Sequence, residues 1–201
     1  MAQLRLVCLG SPGAWLGDQS LAFPTRKALA LLLYVAVEGG LHPRPKLMPL
    51  FWPNSDADRG RSALRSTLAY LRRAFDTVQP GSSRHFLQVE ADAVGFNFEA
   101  DYSLDTQALE AAKTLHGFEH LSTLQQAVAC YQADFLDGFS LPDAPAFDEW
   151  QSLQRERWHR IAAQIFDHLS QAQLDSRHLD QAVATATGWI QHDPLHEAAY
   201  R

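Results

Sequence analysis

The sequence predicts an α+β domain of winged helix-turn-helix type over residues 1–98, followed by an all-α, tetratricopeptide-like domain over residues 99–201. Three observations lead to this prediction. Short apolar strands flank a set of three helices in the first half of the chain. The third of these helices is basic on the side opposite to its leucines. From Asp105 onward, the apolar residues recur almost entirely at helical spacing.

The strands are recognised as short apolar runs bounded by glycine or other turn residues. The first covers residues 4–9, alternates loosely and ends at Gly10. Two short strands then turn at Gly17-Asp18, and two later strands form a terminal hairpin that turns at Asp92-Ala93. These four strands are predicted at residues 14–16, 20–23, 86–89 and 94–98.

The first two helices have clear start and stop signals. Thr25 is the expected N-cap of a helix that runs to about Glu38, and Gly39-Gly40 ends it. Pro45 then opens a short second helix over residues 46–52. The order of strands, three helices and a hairpin is typical of a winged helix-turn-helix, in which the third helix enters the DNA major groove.

The third helix carries the strongest functional signal in the chain. A capping box of Ser55 and Asp58 is expected to start it, and it runs to Phe75. One narrow stripe must face a core, and it consists of Leu64, Leu68, Leu71 and Phe75. The opposite side and its flanks carry Arg59, Ser62, Arg65, Ser66, Ala69, Arg72 and Arg73. Small residues between arginines suit the major groove, where arginine can bind guanine with two hydrogen bonds. The plainer alternative is a solvated helix surface.

Charge is distributed unevenly along the chain. The net charge of −6 argues against a nucleic-acid partner, but the two halves differ. Residues 1–100 hold 11 basic and 8 acidic side chains, whereas residues 101–201 hold 6 and 15. This asymmetry fits a DNA-binding half joined to an acidic half that does not itself approach DNA.

The second half reads as a series of paired helices. They are predicted at residues 106–115, 121–135 and 147–172, and a helix-turn-helix rhythm follows, ending in Asp193-Pro194. This rhythm is typical of tetratricopeptide-type repeats, which serve protein contact or domain packing. Because the pattern stops part-way through a helix at Arg201, we expect the domain to be truncated at its C-terminus.

Other classes of protein receive little support. No signal peptide or membrane span is recognisable, and the widely separated Cys8 and Cys130 are expected to be reduced, as in a cytoplasmic protein. His116, Glu119 and His120 match the H-x-x-E-H motif of zinc peptidases, but Gly117 lies inside the motif and the segment falls between two predicted helices. We interpret the match as coincidence and expect no metal, no cofactor and no enzymatic activity.

Eight stretches, in order, resemble one family, the SARP-like bacterial transcriptional activators. These proteins join an OmpR-type winged helix to a bacterial transcriptional activator domain of tetratricopeptide type. The matching stretches cover residues 4–10, 25–33, 46–53, 63–75, 101–109, 131–139, 150–158 and 192–201. The resemblance implies promoter binding, often at direct repeats where protomers associate, and activation through RNA polymerase. It also implies further ATPase or sensor domains downstream. One departure is the wing tip, where members often carry Thr-Arg and this chain has Glu90-Ala91.

The candidate DNA-binding residues fall into three groups. Ser62, Arg65 and Ser66, with Arg59 nearby, are expected to read base edges, and Arg65 is the best candidate for guanine. Phosphate contacts are expected from Arg61, Arg72 and Arg73 on the same helix, and from Arg84 with His85 at the base of the wing. The starts of the first two helices add Arg26, Lys27, Arg44 and Lys46, because helix N-termini bind phosphate, although these four could equally be ordinary surface charges.

The function predicted from these residues is that of a sequence-specific double-stranded DNA-binding transcriptional regulator, acting as an activator. Two alternatives stay open. The chain could be a protein-interaction module whose winged helix has lost DNA affinity, which the acidic wing tip and net charge favour. It could also be the sensory part of a larger ATPase-type regulator, with weak or no DNA binding.

Overall fold

The computed structural model describes residues 2–195 and 197–200. Contacts divide the chain into two compact units. The first unit comprises residues up to 8, residues 12–103 and residues 139–152; the second comprises residues 9–11, residues 104–138 and the chain from residue 153 onward. The predicted boundary between residues 98 and 99 stays a prediction.

The first unit begins with an N-terminal sheet. Strands β1 (Leu4–Val7), β2 (Gly13–Leu16) and β3 (Gln19–Ser20) pair antiparallel in sequence order. A fourth strand, β7 (Tyr102–Leu104), lies on the other side of β1, so that the order is β3-β2-β1-β7. Strand β7 was not among the strands predicted from the sequence.

Three helices follow the sheet, as predicted. Helix α1 (Arg26–Glu38) is capped by Thr25, whose Oγ1 accepts a hydrogen bond from the Ala28 amide, and it ends at Gly39 with a positive φ. Helix α2 (Arg44–Phe51) begins two residues earlier than expected and follows directly on a short strand, β4 (Leu41–Pro43). Helix α3 covers Ala57–Val78.

The predicted capping box at the start of α3 is wrong. Asp56, not Ser55, is the N-cap, and its carboxylate accepts a hydrogen bond from the Arg59 amide at 2.8 Å. Ser55 and Asp56 are adjacent and both are good N-cap residues, so sequence preference alone does not choose between them.

Replacing Asp56 by alanine should lower the free energy of unfolding by about 1 kcal/mol, because the first turn of α3 loses the side chain that satisfies its amide. Urea-induced unfolding followed by circular dichroism measures the change. Ser55→Ala is the matched control and should change the unfolding free energy by less than about 0.5 kcal/mol. Equal losses in both variants would contradict the assignment of Asp56 as the cap.

The wing is a three-stranded sheet behind a short helix. Helix α4 (Ser83–Phe86) leads into β5 (Leu87–Val89), which pairs with β6 (Ala93–Phe96). Strand β4 completes the sheet in the order β4-β6-β5. The hairpin was predicted, but its first strand begins one residue late because Phe86 ends α4, where its ring stacks on Phe75 at a centroid distance of 5.6 Å.

The core of the first unit confirms the predicted stripe on α3. Its four members, Leu64, Leu68, Leu71 and Phe75, are all buried. They join the buried face of α1, which includes Leu31, Leu32 and Leu33. The arrangement fixes which side of α3 is left for solvent or a ligand.

The second unit is helical. Its helices are α5 (Asp105–Ala112), α6 (Leu121–Cys130), α7 (Pro145–Asp175) and α8 (Leu179–His192), of which α7 begins in the first unit. Two short 3₁₀ turns cover Phe118–His120 and Glu197–Tyr200. The Phe166 and Trp189 rings stack at 5.9 Å between α7 and α8.

Helix α6 is five residues shorter than predicted. The prediction extended it to Phe135, but the helix ends at Cys130 and the chain then pairs with residues 9 and 10. The Gly10 amide donates to the Asp134 carbonyl at 3.0 Å, and the Asp137 amide donates to the Gly10 carbonyl at 2.9 Å. These long-range hydrogen bonds replace those of a further helical turn.

Candidate nucleic-acid interface

The outer face of α3 is open. Ser62, Arg65, Ser66 and Ala69 are exposed, and so are Arg72 and Arg73 on the following turns. The leucines on the opposite side are fully buried, so the helix cannot turn this face inward without exposing its core stripe. The helix therefore presents these small and basic side chains to solvent.

Five of the candidate basic side chains have no side-chain partner among the described residues. Within residues 2–195 and 197–200, these side chains make no hydrogen bond or ion pair, and they are Lys46, Arg65, Arg72, Arg73 and Arg84. A guanidinium without an internal partner keeps all five N–H donors for a ligand. These residues are therefore better placed to meet DNA than the remaining basic candidates.

The first turns of α3 hold two arginines that pair with acidic neighbours. Arg59 lies 3.5 Å from Asp56, and Arg61 forms a close ion pair with Asp58. Both pairs are exposed, and such pairs contribute little stability, so DNA could displace the carboxylates. These pairs were not predicted, although their i, i+3 spacing is readable in the sequence.

The basic residues at the start of α1 form contacts with other residues of the first unit. The Lys27 ammonium lies 2.6 Å from the Asp143 carboxylate and its side chain is only 16% exposed. Its hydrogen bond holds the pKa of Asp143 below the ordinary value. The Arg26 guanidinium lies over the Phe139 ring at 5.2 Å and donates to the Ser140 carbonyl at 3.5 Å. These contacts disfavour the phosphate role predicted for both residues.

Arg44 forms two hydrogen bonds to the wing. Its guanidinium donates to the Glu90 carbonyl at 2.7 Å, and its amide donates to the Asp92 carbonyl at 2.8 Å. Arg44 therefore ties the start of α2 to the turn between β5 and β6. The exposed tip itself presents Glu90 and Asp92, two carboxylates that DNA phosphates would repel.

The H-x-x-E-H segment does not have the geometry of a zinc peptidase. Gly117 adopts a φ of +92°, and the residues after it form a 3₁₀ turn, so His116 and His120 do not share a helix. In the part of the chain that the structure describes, no three His, Cys, Asp or Glu side chains are placed to hold a metal ion. The described helices also contain no apolar stretch long enough to cross a lipid bilayer.

A winged helix with a basic third helix, in one chain with tetratricopeptide-like helices, is the architecture expected of the SARP-like bacterial transcription regulators. The family described as "Bacterial transcriptional activator domain" matches residues 95–201. Because this match covers more than half of the sequence, the chain belongs to that family. The resemblance to SARP-like activators is thereby confirmed.

Comparison with solved structures supports the same fold. The chain is similar to Mycobacterium tuberculosis EmbR, whose structure was solved in complex with a low-affinity phosphopeptide, with a TM-score of 0.72 and 16% sequence identity. The alignment covers 100% of this chain and 53% of EmbR, so the chain spans about half the length of that protein. None of the curated proteins compared with the chain matches it.

Proposed function

We propose that this member of the family binds double-stranded promoter DNA sequence-specifically and activates transcription by recruiting RNA polymerase. The observation that carries the proposal is the outer face of α3, where small side chains lie between exposed arginines above a buried leucine stripe. Of these arginines, Arg65, Arg72 and Arg73 have no side-chain partner among the described residues. This face allows the helix backbone to approach a duplex closely while guanidinium groups reach the bases and phosphates.

Within this proposal the candidate residues have different roles. Ser62, Arg65 and Ser66 read base edges, because they lie on the early, outward part of the helix. Lys46 and Arg73 position the domain on phosphates and carry no sequence information. The acidic helical unit contacts RNA polymerase, and neighbouring protomers associate on repeated sites in the cytoplasm.

A second function is favoured by one observation, the acidic wing tip formed by Glu90 and Asp92. In this alternative, the winged helix has weak or no DNA affinity and the chain is an interaction or sensory module of a larger ATPase-type regulator. The two functions differ in whether the chain binds a defined duplex sequence tightly and in preference to others.

Selection of bound sequences from a random duplex pool tests the proposal. We expect enrichment of a defined motif, and two copies at a fixed spacing if protomers associate on DNA. In mobility-shift assays, the binding constant for the enriched duplex should fall steeply as the salt concentration rises. The slope of log K against log salt should be about −0.9 for each phosphate neutralised. Failure to bind any duplex at low salt would contradict the proposal and leave the interaction module as the function.

A further inference from the structure

The base of the wing contains a cleft whose lining does not include Glu90 or Asp92 of the acidic wing tip. The cleft measures about 320 Å³ and is lined by Arg72, Ser83, Arg84, Leu87 and Val89. Two basic side chains from different elements, α3 and α4, therefore line one concave surface. Neither guanidinium has a hydrogen bond or ion pair with another side chain in the part of the chain described by the structure.

Asp76 explains why the two arginines lie together. It follows Arg72 by four residues on α3, so both project from the same face of that helix. The Asp76 carboxylate accepts hydrogen bonds from the Ser83 amide at 3.0 Å and from the Ser83 hydroxyl at 3.1 Å. These bonds tie the start of α4 to α3 and hold Arg84, the next residue, beside Arg72.

The charges at this cleft suit a single anion. Asp76 lies four residues after Arg72, and its carboxylate already accepts two hydrogen bonds from Ser83. Leu87 and Val89 supply an apolar part of the lining, which offers no competing acceptor side chain. Guanidinium groups bind phosphate oxygens with paired N–H donors, so two of them at one cleft match a tetrahedral phosphate.

We infer that Arg72 and Arg84 form a clamp for one phosphate of the duplex backbone, at the base of the wing. This inference rests on the proposed function and makes it more specific. It assigns both arginines to the same phosphate, although the sequence alone predicts two separate contacts. The clamp also supplies the anchor that the acidic tip, with Glu90 and Asp92, does not provide.

The salt dependence of binding to the selected duplex tests this inference. Arg72→Gln and Arg84→Gln should each weaken binding, and the double variant should lower the magnitude of the salt slope by about 0.9, the contribution of one phosphate. A decrease of about 1.8 would mean two separate phosphates and would overturn the inference. An Arg157→Gln/Arg160→Gln variant removes the same charge from α7 and should leave the slope unchanged.

A second measurement identifies the phosphate. Duplexes in which single phosphates are replaced by neutral methylphosphonate should include one position at which the wild type and the Arg72→Gln/Arg84→Gln variant bind equally well. No such position, or two independent ones, would overturn the clamp while DNA binding itself stands. If the wild type binds no duplex, the proposed function fails and the clamp fails with it. Circular dichroism of each variant confirms that the fold is retained.

Discussion

Replacing Arg65 by alanine should remove most of the preference for one base pair of the selected DNA motif. A guanidinium that makes two hydrogen bonds to guanine contributes about 1–3 kcal/mol of discrimination, which corresponds to roughly 5- to 150-fold in relative affinity. Arg65 is exposed, has no partner in the described chain and lies between Ser62 and Ser66, which leave room for the DNA. Competition binding against duplexes mutated at each position of the motif measures the loss.

Arg73→Ala is the matched control for this prediction. It removes the same side chain from the same helix, two turns further on, and Arg73 is likewise exposed and unpartnered in the described residues. Because phosphate contacts do not read sequence, this variant should weaken binding to all duplexes about equally. If the two variants lose affinity in parallel with unchanged preference, the division between reading and positioning residues is wrong.

The open face of α3 could be predicted from the sequence because it depends on one local property, the helical period. The stripe from Leu64 to Phe75 needs no knowledge of its partners, and its burial decides which residues remain outside. The start of α1 at Thr25 is local in the same sense, since the cap and the first turn are neighbours in the chain. Such features are the most readable part of a sequence.

The state of each basic side chain could not be predicted in this way. Lys27 pairs with Asp143, which is 116 residues away, and Arg44 meets the Glu90 carbonyl across 46 residues. Neither partner is marked by spacing or by residue type, because Asp143 is one of 23 acidic residues and the acceptor for Arg44 is a backbone carbonyl, which every residue carries. A basic residue at a helix N-terminus therefore predicts a surface charge, but whether that charge is available for DNA depends on tertiary structure.

The cleft at the base of the wing could not be predicted from the sequence either. Arg72 and Arg84 are both readable as basic residues, but α4 was not predicted, and it is α4 that brings Arg84 next to α3. The hydrogen bonds from Ser83 to Asp76 span seven residues across a turn, and no periodic pattern marks them. Without knowledge of these hydrogen bonds, nothing in the sequence indicates that the two arginines line the same cleft.

Replacing Gly95 by alanine should lower the free energy of unfolding by about 2–3 kcal/mol. Gly95 lies in β6, the central strand of the wing sheet, opposite Leu41 in β4. A Cβ atom there would lie 2.6 Å from the Gly40 carbonyl oxygen, a backbone atom that cannot rotate away as a side chain can. The strands must therefore separate locally, and urea-induced unfolding should show a lower midpoint than that of the wild type.

Gly60→Ala, the same substitution in α3, should not lower the free energy of unfolding. The nearest atom to a Cβ at Gly60 is the Met48 Sδ at 3.4 Å, the mobile part of a flexible side chain. An alanine inside a helix is favoured over glycine by about 1 kcal/mol, so this variant should be as stable as the wild type or more stable. Both glycines are buried, so burial alone would predict similar effects. Equal destabilisation by the two substitutions would contradict the close approach of β6 to Gly40, whereas opposite signs would show that this approach is what requires a glycine at position 95.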